Sequence, residues 1–440
     1  MPDNNRRPTN RRNNPFANIA DPVCTATRRA ALKMLDAVLR RGEALDRAQH
    51  AATQGLKNPA DRAHAVVIAA ETLRHLPDLD ALIDSATKQR IPDDAKSRAV
   101  LRLALVQALK LDTPPHAAIA TALPLIEGGP KRLVHGVFGT LMRNEAKLPD
   151  LPTLPDDAAE RWQEQWGDDM VAAAQVAISA QPPLDLSLRN AADTAAWSEK
   201  LGGASLGDAN VRISEPGNVA ALPGYDEGAW WVQDMSASIA ARLLGQGDGR
   251  TVLDLCAAPG GKTMQLAANG WNVNAVDISA KRLERLKDNL ARTALSAHLV
   301  QGDIEKWAPQ SPADAVLLDA PCSATGIFRR HPDVLHRVGN RQIAELAELQ
   351  EKLLHRAAEW VKPGGLLVYA TCSLEQSEGE EQIAAFLASH PEWQRAPVGA
   401  DELPAGFAPN TEGDVRILPG TLADAGGADG FFISRLRKNS

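Results

Sequence analysis

The chain has 440 residues, 44% hydrophobic and 23% charged, a soluble globular composition long enough for two or three separate cores. The formal net charge of −7 conceals an asymmetry, because basic residues exceed acidic ones over residues 1–150 and the reverse holds afterwards. No apolar run approaches the roughly 18 residues of a spanning helix, and Cys24, Cys256, Cys322 and Cys372 lack metal-ligand spacing, so no membrane span, no metal and reduced thiols in a cytoplasm are expected.

Residues 1–22 carry Arg6, Arg7, Arg11 and Arg12 without an apolar segment, and read as a disordered basic tail. Residues 23–147 have helical period throughout. Apolar residues at 31, 35, 38 and 39 predict a first helix stopped by Gly42. A second is expected over Ala63–Leu76, capped by Asp61 and ended by Pro77, and a third from near Asp80. Others are predicted over Ala95–Leu111, Ala117–Ile126 and Lys131–Arg143, which together make a compact all-α bundle. Three prolines follow within residues 148–160, a linker.

Residues 161–232 read as a small α/β module resembling an RNA-recognition unit. Trp162 and Trp166 are expected to open a helix, Ala195–Leu201 to form another, and Leu184–Leu188, Val211–Ile213 and Val219–Leu222 to be strands. Residues 233–440 alternate strand and helix. Strands are expected at Thr251–Cys256, Val273–Val276, Ala297–Val300, Ala313–Leu318, Gly365–Thr371 and Phe431–Leu436, with helices including Lys281–Arg292 and Arg341–Val361. That repetition predicts a doubly wound, Rossmann-like α/β sheet.

The stretch Val252-Leu-Asp254-Leu-Cys256-Ala257-Ala258-Pro259-Gly260-Gly261-Lys262-Thr263 reads as a strand, a glycine turn and a helix start, where a ligand can approach open backbone N–H groups. A P-loop needs glycine where Cys256 stands, and a dinucleotide fingerprint needs three spaced glycines that are missing. An S-adenosyl-L-methionine pocket needs only the glycine turn and an acid for the ribose. Asp277 ends the next strand and supplies that acid; Asp303, after the third, could accept from an adenine amino group. A single aspartate at a strand end is as well explained as a helix cap, but three on one sheet edge are not.

Cys322 follows the apolar run ending in Asp319-Ala-Pro, and Cys372 follows the run ending in Ala-Thr371. Buried parallel strands present their carboxyl ends on the reactive edge of such a sheet, so neighbouring strands would bring both thiols and Asp319 into one pocket. A thiolate that adds to carbon 6 of a pyrimidine makes carbon 5 nucleophilic toward an electrophilic methyl group. A carboxyl such as Asp319 can assist at ring nitrogen 3, and a second cysteine can take the carbon-5 proton. On spacing alone either thiol could be the attacker. Cys24 and Cys256 read as ordinary core cysteines.

These motifs, with Val232-Gln-Asp234-Met-Ser-Ala-Ser238 and Asp429-Gly-Phe-Phe432, resemble the signature of RNA cytosine-5 methyltransferases. Asp61-Arg62 and Ala99-Val-Leu-Arg-Leu, followed by Pro-Pro-His-Ala-Ala-Ile, resemble the antiterminator NusB. Together the halves resemble bacterial 16S ribosomal RNA methyltransferases with a NusB-like domain. The resemblance implies S-adenosyl-L-methionine held by Cys256, Ala257, Ala258, Pro259, Gly260, Gly261, Lys262, Asp277, Asp303 and Asp319. It implies Cys372 as nucleophile, Cys322 as the residue that releases product, and Asp319 as the group activating cytosine. A transfer-RNA or other ribosomal target, or an RNA-binding regulator with an inactive enzyme domain, are the alternatives. The intact Cys322, Cys372, Asp319 and glycine turn argue against the regulator.

For 16S ribosomal RNA as partner, phosphate contacts are expected from Arg329 and Arg330, with His331, and from Arg28, Arg29, Arg40 and Arg41 of the bundle. Nothing in the sequence demands more than a monomer.

Overall fold

A computed structural model describes residues 25–215 and 217–440. The expectations for the basic tail and for Cys24 lie outside those residues. The chain divides after Pro149 into two compact units.

The first unit is helical: α1 (Thr25–Arg41), α2 (Leu45–Thr53), α3 (Pro59–Arg74), α4 (Leu76–Ser85), α5 (Lys96–Leu109), α6 (Pro115–Ala122) and α7 (Gly129–Arg143). Met34, Leu35 and Val38 of α1 pack with Ile68, Leu101, Leu105 and Phe138 in one core. Three expectations need correction. Asn58, not Asp61, caps α3, accepting from the Ala60 N–H at 3.0 Å. Pro77 does not end a helix; it occupies the first turn of α4, where its missing N–H costs nothing. Helix α2 was not foreseen. Arg102 of the NusB-like motif is a brace, donating two 2.7 Å bonds to Asp80 beside the fully buried Arg98, which also pairs with Asp80 and Asp84.

The second unit begins with α8 (Asp156–Trp166) and α9 (Asp168–Ser179). Helix α8 starts within the segment expected to be linker, and Trp162 and Trp166 stand at its end rather than its beginning. Then come β1 (Leu184–Leu188), α10 (Thr194–Leu201), β2 (Ala204–Ser205), β3 (Asn210–Ile213) and β4 (Trp230–Val232). These strands form an antiparallel sheet in the order β2-β3-β1-β4. Val219–Ala221 is a single 3-10 turn begun by the Asn218 side chain, not a strand.

The remainder runs α11 (Met235–Arg242), β5 (Thr251–Leu255), α12 (Gly261–Ala268), β6 (Asn272–Asp277), α13 (Ala280–Thr293), β7 (His298–Gln301), β8 (Ala313–Asp319), α14 (Val334–Arg337), α15 (Asn340–Glu359), β9 (Val361–Thr371), α16 (Glu380–Ser389), β10 (Trp393–Arg395), β11 (Val415–Ile417) and β12 (Phe431–Lys438). The sheet order is β10-β12-β9-β8-β5-β6-β7, with β11 also on β12. From β9 to β7 every pairing is parallel, and β12 joins β9 antiparallel. Alternate residues feed opposite cores, Val252, Val368 and Ala370 on one face and Leu253, Leu367 and Tyr369 on the other. Both faces are covered by helices, which is why these strands read as unbroken apolar runs. Chain order reverses between β5 and β8, so the glycine turn after β5 lies at the switch point where such sheets bind ligands.

Candidate active site

Strands β8 and β9 are neighbours, with Asp319 opposite Ala370. The loops leaving them bring Cys322 and Cys372 to an Sγ–Sγ distance of 3.4 Å. The loops are bonded directly: the Gly326 N–H donates to the Cys372 carbonyl at 2.9 Å, and the Gly430 N–H to the Gly326 carbonyl at 2.8 Å. A side chain at 326 would strike the Gly430 carbonyl oxygen at 2.0 Å, so only glycine admits this approach.

Across the switch point, Lys262 Nζ donates to Asp319 Oδ2 at 2.8 Å. Asp319 is 32% exposed and remains open to a ligand. Burial acts to lower the Lys262 pKa, but the charge and hydrogen bond of Asp319, with negative charge at Cys372 and Asp254, raise it overall. A fixed ammonium therefore faces both Asp319 and Cys372. The Cys322 thiol is driven well above its ordinary range by its hydrogen bond to Cys372, then by burial and the charges of Cys372 and Glu378. Burial, with Asp319 and Asp277, pushes Cys256 up to about 12, which disfavours its thiolate.

The glycine turn is shaped by its own backbone. Cys256 and Gly260 have φ of +61° and +107°, and no side chain caps the start of α12. Thr263 closes the turn by donating to Asp254 at 2.5 Å, while Asp254 Oδ1 is buried without a partner among the described residues. Asp277 accepts from the Ala258 N–H at 3.1 Å and the Ser279 N–H at 2.9 Å, and Arg282 lies against it at 3.5 Å. Asp303 accepts from Glu305 N–H at 3.1 Å and pairs with exposed Lys306 at 3.2 Å. Both aspartates thus do the local turn work expected of a lone strand-end acid while holding further acceptor capacity. Beside Asp277 the Ile278 side chain is 64% exposed, an apolar surface next to the turn.

The basic residues after the reactive loop do something other than expected. Arg329 is 2% exposed and donates to the Gly426 carbonyl at 2.6 Å. Arg330 donates to Asp234 at 2.8 Å, Asp429 at 3.1 Å and the Pro183 carbonyl at 2.9 Å. Burial raises Asp234, but the Arg330 charge and hydrogen bond outweigh it and hold that carboxyl low. Burial and repulsion from Asp234 push Asp429 up to about 7, against the pull of the arginines. Arg329 is a buried brace and Arg330 a half-buried one rather than free phosphate contacts, because the loop turns their charges onto two carboxylates. Arg28 is likewise buried, donating to Gln107 at 2.6 Å. Arg29, Arg40 and Arg41 are exposed, the last two paired with Asp36.

Residues 241–437 match the family described as 16S rRNA methyltransferase RsmB/F, and residues 25–131 match the NusB family. Ribosomal RNA small subunit methyltransferase B of Klebsiella pneumoniae subsp. pneumoniae is 37% identical, covering 93% of this chain and 98% of that protein. The protein of the same name from Erwinia tasmaniensis is 34% identical, covering 94% and 99%. Among solved structures, PH0851 superposes with a TM-score of 0.74 at 25% identity, over 96% of this chain and 100% of that one. NSun6 from Pyrococcus horikoshii with SFG shares the fold at a TM-score of 0.56 and 18% identity, covering 65% and 98%. The chain therefore belongs to the 16S rRNA methyltransferase RsmB/F family, with a NusB-family domain at its front.

Proposed function

We propose that the chain transfers the methyl group of S-adenosyl-L-methionine to carbon 5 of a cytosine in 16S ribosomal RNA, in the cytoplasm, through a transient bond between Cys372 Sγ and carbon 6 of the base. The observation that carries this reading is the 3.4 Å approach of two thiols beside the Lys262–Asp319 pair. Relatives named ribosomal RNA small subunit methyltransferase B support the RNA class.

The residues present fit the cofactor. The uncapped turn offers backbone N–H groups to a carboxylate, Asp277 can accept from ribose hydroxyls once the half-exposed Arg282 swings aside, and Ile278 offers an apolar face to adenine. Asp303 has acceptor capacity left for the adenine amino group. When bound, S-adenosyl-L-methionine supplies an electrophilic methyl group.

The two thiols divide the work by their surroundings. Attack is assigned to Cys372, whose developing charge meets the Lys262 ammonium, while the hydrogen bond to Cys372, burial and neighbouring charge favour the neutral form of Cys322. In this reading Asp319 and Lys262 hydrogen-bond the N3–N4 edge of the ring and favour addition at carbon 6, which their mutual 2.8 Å pairing beside the thiols supports. Once Cys372 sulfur is bonded to carbon it is an uncharged thioether. The hydrogen bond and charge that Cys372 exerts on Cys322 are then gone, so the Cys322 thiol can release its proton to solvent and, as a thiolate, take the carbon-5 proton. Elimination breaks the carbon–sulfur bond and returns the thiolate to Cys372. A base stacked in a duplex hides carbon 6, so the target cytosine enters unpaired or flipped.

The test is a pair of variants incubated with 16S RNA and cofactor. Cys322→Ala accumulates a protein–RNA adduct stable on a denaturing gel, because elimination is blocked. Cys372→Ser forms no adduct and no 5-methylcytosine. Methylation at an undiminished rate by folded Cys372→Ser would refute the assignment.

A further inference from the structure

Glu378 lies six residues beyond Cys372, in a polar stretch that reads as ordinary surface. It is 0% exposed. Its carbonyl accepts from Tyr369 Oη at 2.9 Å and Thr371 Oγ1 at 3.2 Å, which locks the residue to β9. Its carboxylate accepts from the Ser323 N–H at 2.9 Å, from the Ser323 hydroxyl, from the Ser373 hydroxyl at 2.5 Å and from Gln350 Nε2 at 2.8 Å. A carboxylate has about four acceptor positions, so all are in use.

The donors are informative. Ser323 follows Cys322 and Ser373 follows Cys372, so one side chain grips the residue after each thiol. We propose that Glu378 is a positioning residue that sets the distance between Cys322 and Cys372 by holding both cysteine loops on a single carboxylate. It touches neither the base nor the cofactor turn. Direct bonds between the loops, such as Gly326 N–H to Cys372 carbonyl, remain when it is changed, so the fold survives while the register of the thiols loosens. The catalytic consequence rests on the two-thiol reading above; the geometric one does not.

Glu378→Gln is nearly isosteric but replaces one acceptor oxygen with a donor NH2. With its oxygen kept toward the Ser323 N–H and Gln350 Nε2, the amide turns its NH2 onto the Ser323 and Ser373 hydroxyls, which must reverse from donors to acceptors; two short charge-assisted bonds become ordinary ones and the grip on both loops loosens. Two measurements on the full chain separate the claims. In the first, protein without RNA is treated with oxidised glutathione, and the Cys322–Cys372 disulfide is followed by mass spectrometry. Each disulfide forms with loss of two protons and two electrons from the thiols, and the glutathione disulfide is reduced to two thiols. Sulfurs already 3.4 Å apart couple readily, and Glu378→Gln slows the coupling tenfold or more. In the second, kcat for methylation falls by about 10- to 100-fold, as for a misplacement near 1 Å, while KM for RNA and the affinity for S-adenosyl-L-methionine hold within about twofold.

An unchanged coupling rate in the folded variant overturns the proposal. Slowed coupling with unchanged methylation upholds the positioning role and instead removes Cys322 from the reaction. A loss of cofactor affinity in step with kcat would mark Glu378 as general scaffolding and also overturn the proposal. Should the glutamine variant fail to fold, Ser373→Ala cuts the same link on the Cys372 side and is read by the same two measurements.

Discussion

Asp254 offers a test of the electrostatics of the cofactor turn with a sign and a size. The carboxyl is buried at the end of β5, and burial pushes its pKa from 3.8 to about 7, with the Thr263 hydrogen bond opposing and Asp319 adding to the rise. Between those values the folded chain holds a proton that the unfolded chain has released. Stability from this group is therefore complete below pH 3.8 and is lost as pH rises through 7. At about 1.4 kcal/mol per pKa unit, the loss above pH 7 has a ceiling near 4 kcal/mol. Asp254→Asn keeps an acceptor for Thr263 and has nothing to ionise. Its stability relative to the parent should rise with pH, by up to about 1.4 kcal/mol per unit between pH 5 and 7, and level off above pH 8.

The nine tryptophans make the assay selective, since all of them, from Trp162 to Trp393, lie in the second unit. Denaturant titrations followed by tryptophan fluorescence at pH 5, 6, 7 and 8 thus report that unit. Titrating groups remote from Asp254 are common to both proteins and cancel in the difference, leaving Asp254 and the groups that feel its charge. The amide leaves an unpaired donor where Oδ1 already lacks a partner, which adds a constant offset of about 1–3 kcal/mol without a pH slope. A difference that is flat from pH 5 to 8 would refute the reasoning, because it would mean that Asp254 titrates normally in the fold.

Three further outcomes are expected. Lys262→Met removes the ammonium between Asp319 and Cys372, and methylation at saturating cofactor should fall by about 100-fold or more with little change in thermal stability, measured by single-turnover kinetics and calorimetric melting. Asp277→Asn keeps an acceptor for one backbone N–H but impairs acceptance from two ribose hydroxyls, so titration calorimetry should show cofactor affinity reduced by about 5- to 100-fold. Arg330→Ala leaves Asp234 and Asp429 facing each other; with Arg330 24% exposed, the second unit should lose about 3 kcal/mol by the same fluorescence titration, and a folded remnant should bind RNA as before.

The parts of the site visible in the sequence are those where local chemistry and sheet topology coincide. Apolar runs without polar alternation mark strands buried on both faces, and their ends must lie on one edge, which is why Asp319, Cys322 and Cys372 could be grouped before any coordinates. In the sequence the neighbouring of β8 and β9 is a condition; in the fold it is a register, Asp319 against Ala370. What escaped reading is pairing across long separations. Arg329 and Arg330 carry the charge of a phosphate contact, but charge does not say which way a side chain points, and Asp429 lies about a hundred residues away. Glu378 sits among polar residues that a solvated loop would also show. The tryptophans of α8 stand at the end of the helix that docks, not at its start, and composition alone does not tell the two ends apart: Trp162 donates to Glu375 at 3.1 Å and Trp166 to the Leu374 carbonyl at 2.8 Å. The edge strands β10 and β11 are three residues each, too short to give a period.

Taken together, these misread residues share one task. The loop bearing Cys322 is held at its start by Glu378 through Ser323 and at its far end by Arg330, which ties it to Asp234 ahead of β5 and to Asp429 ahead of β12. The loop bearing Cys372 is held by Glu378 through Ser373 and by α8 through Leu374 and Glu375. The motifs Val232–Ser238 and Asp429–Phe432 thus brace the loop bearing Cys322 through Asp234 and Asp429. In the two-thiol reading proposed above, the thiols exchange roles within one turnover and gain from walls that do not move between the steps, since each step needs reacting atoms within about 3–3.5 Å. Buried charges are costly unless paired, and such pairs rarely add net stability over an apolar core. Their concentration around these two loops, at the switch point of the sheet, is what a site selected for fixed geometry rather than for stability would show.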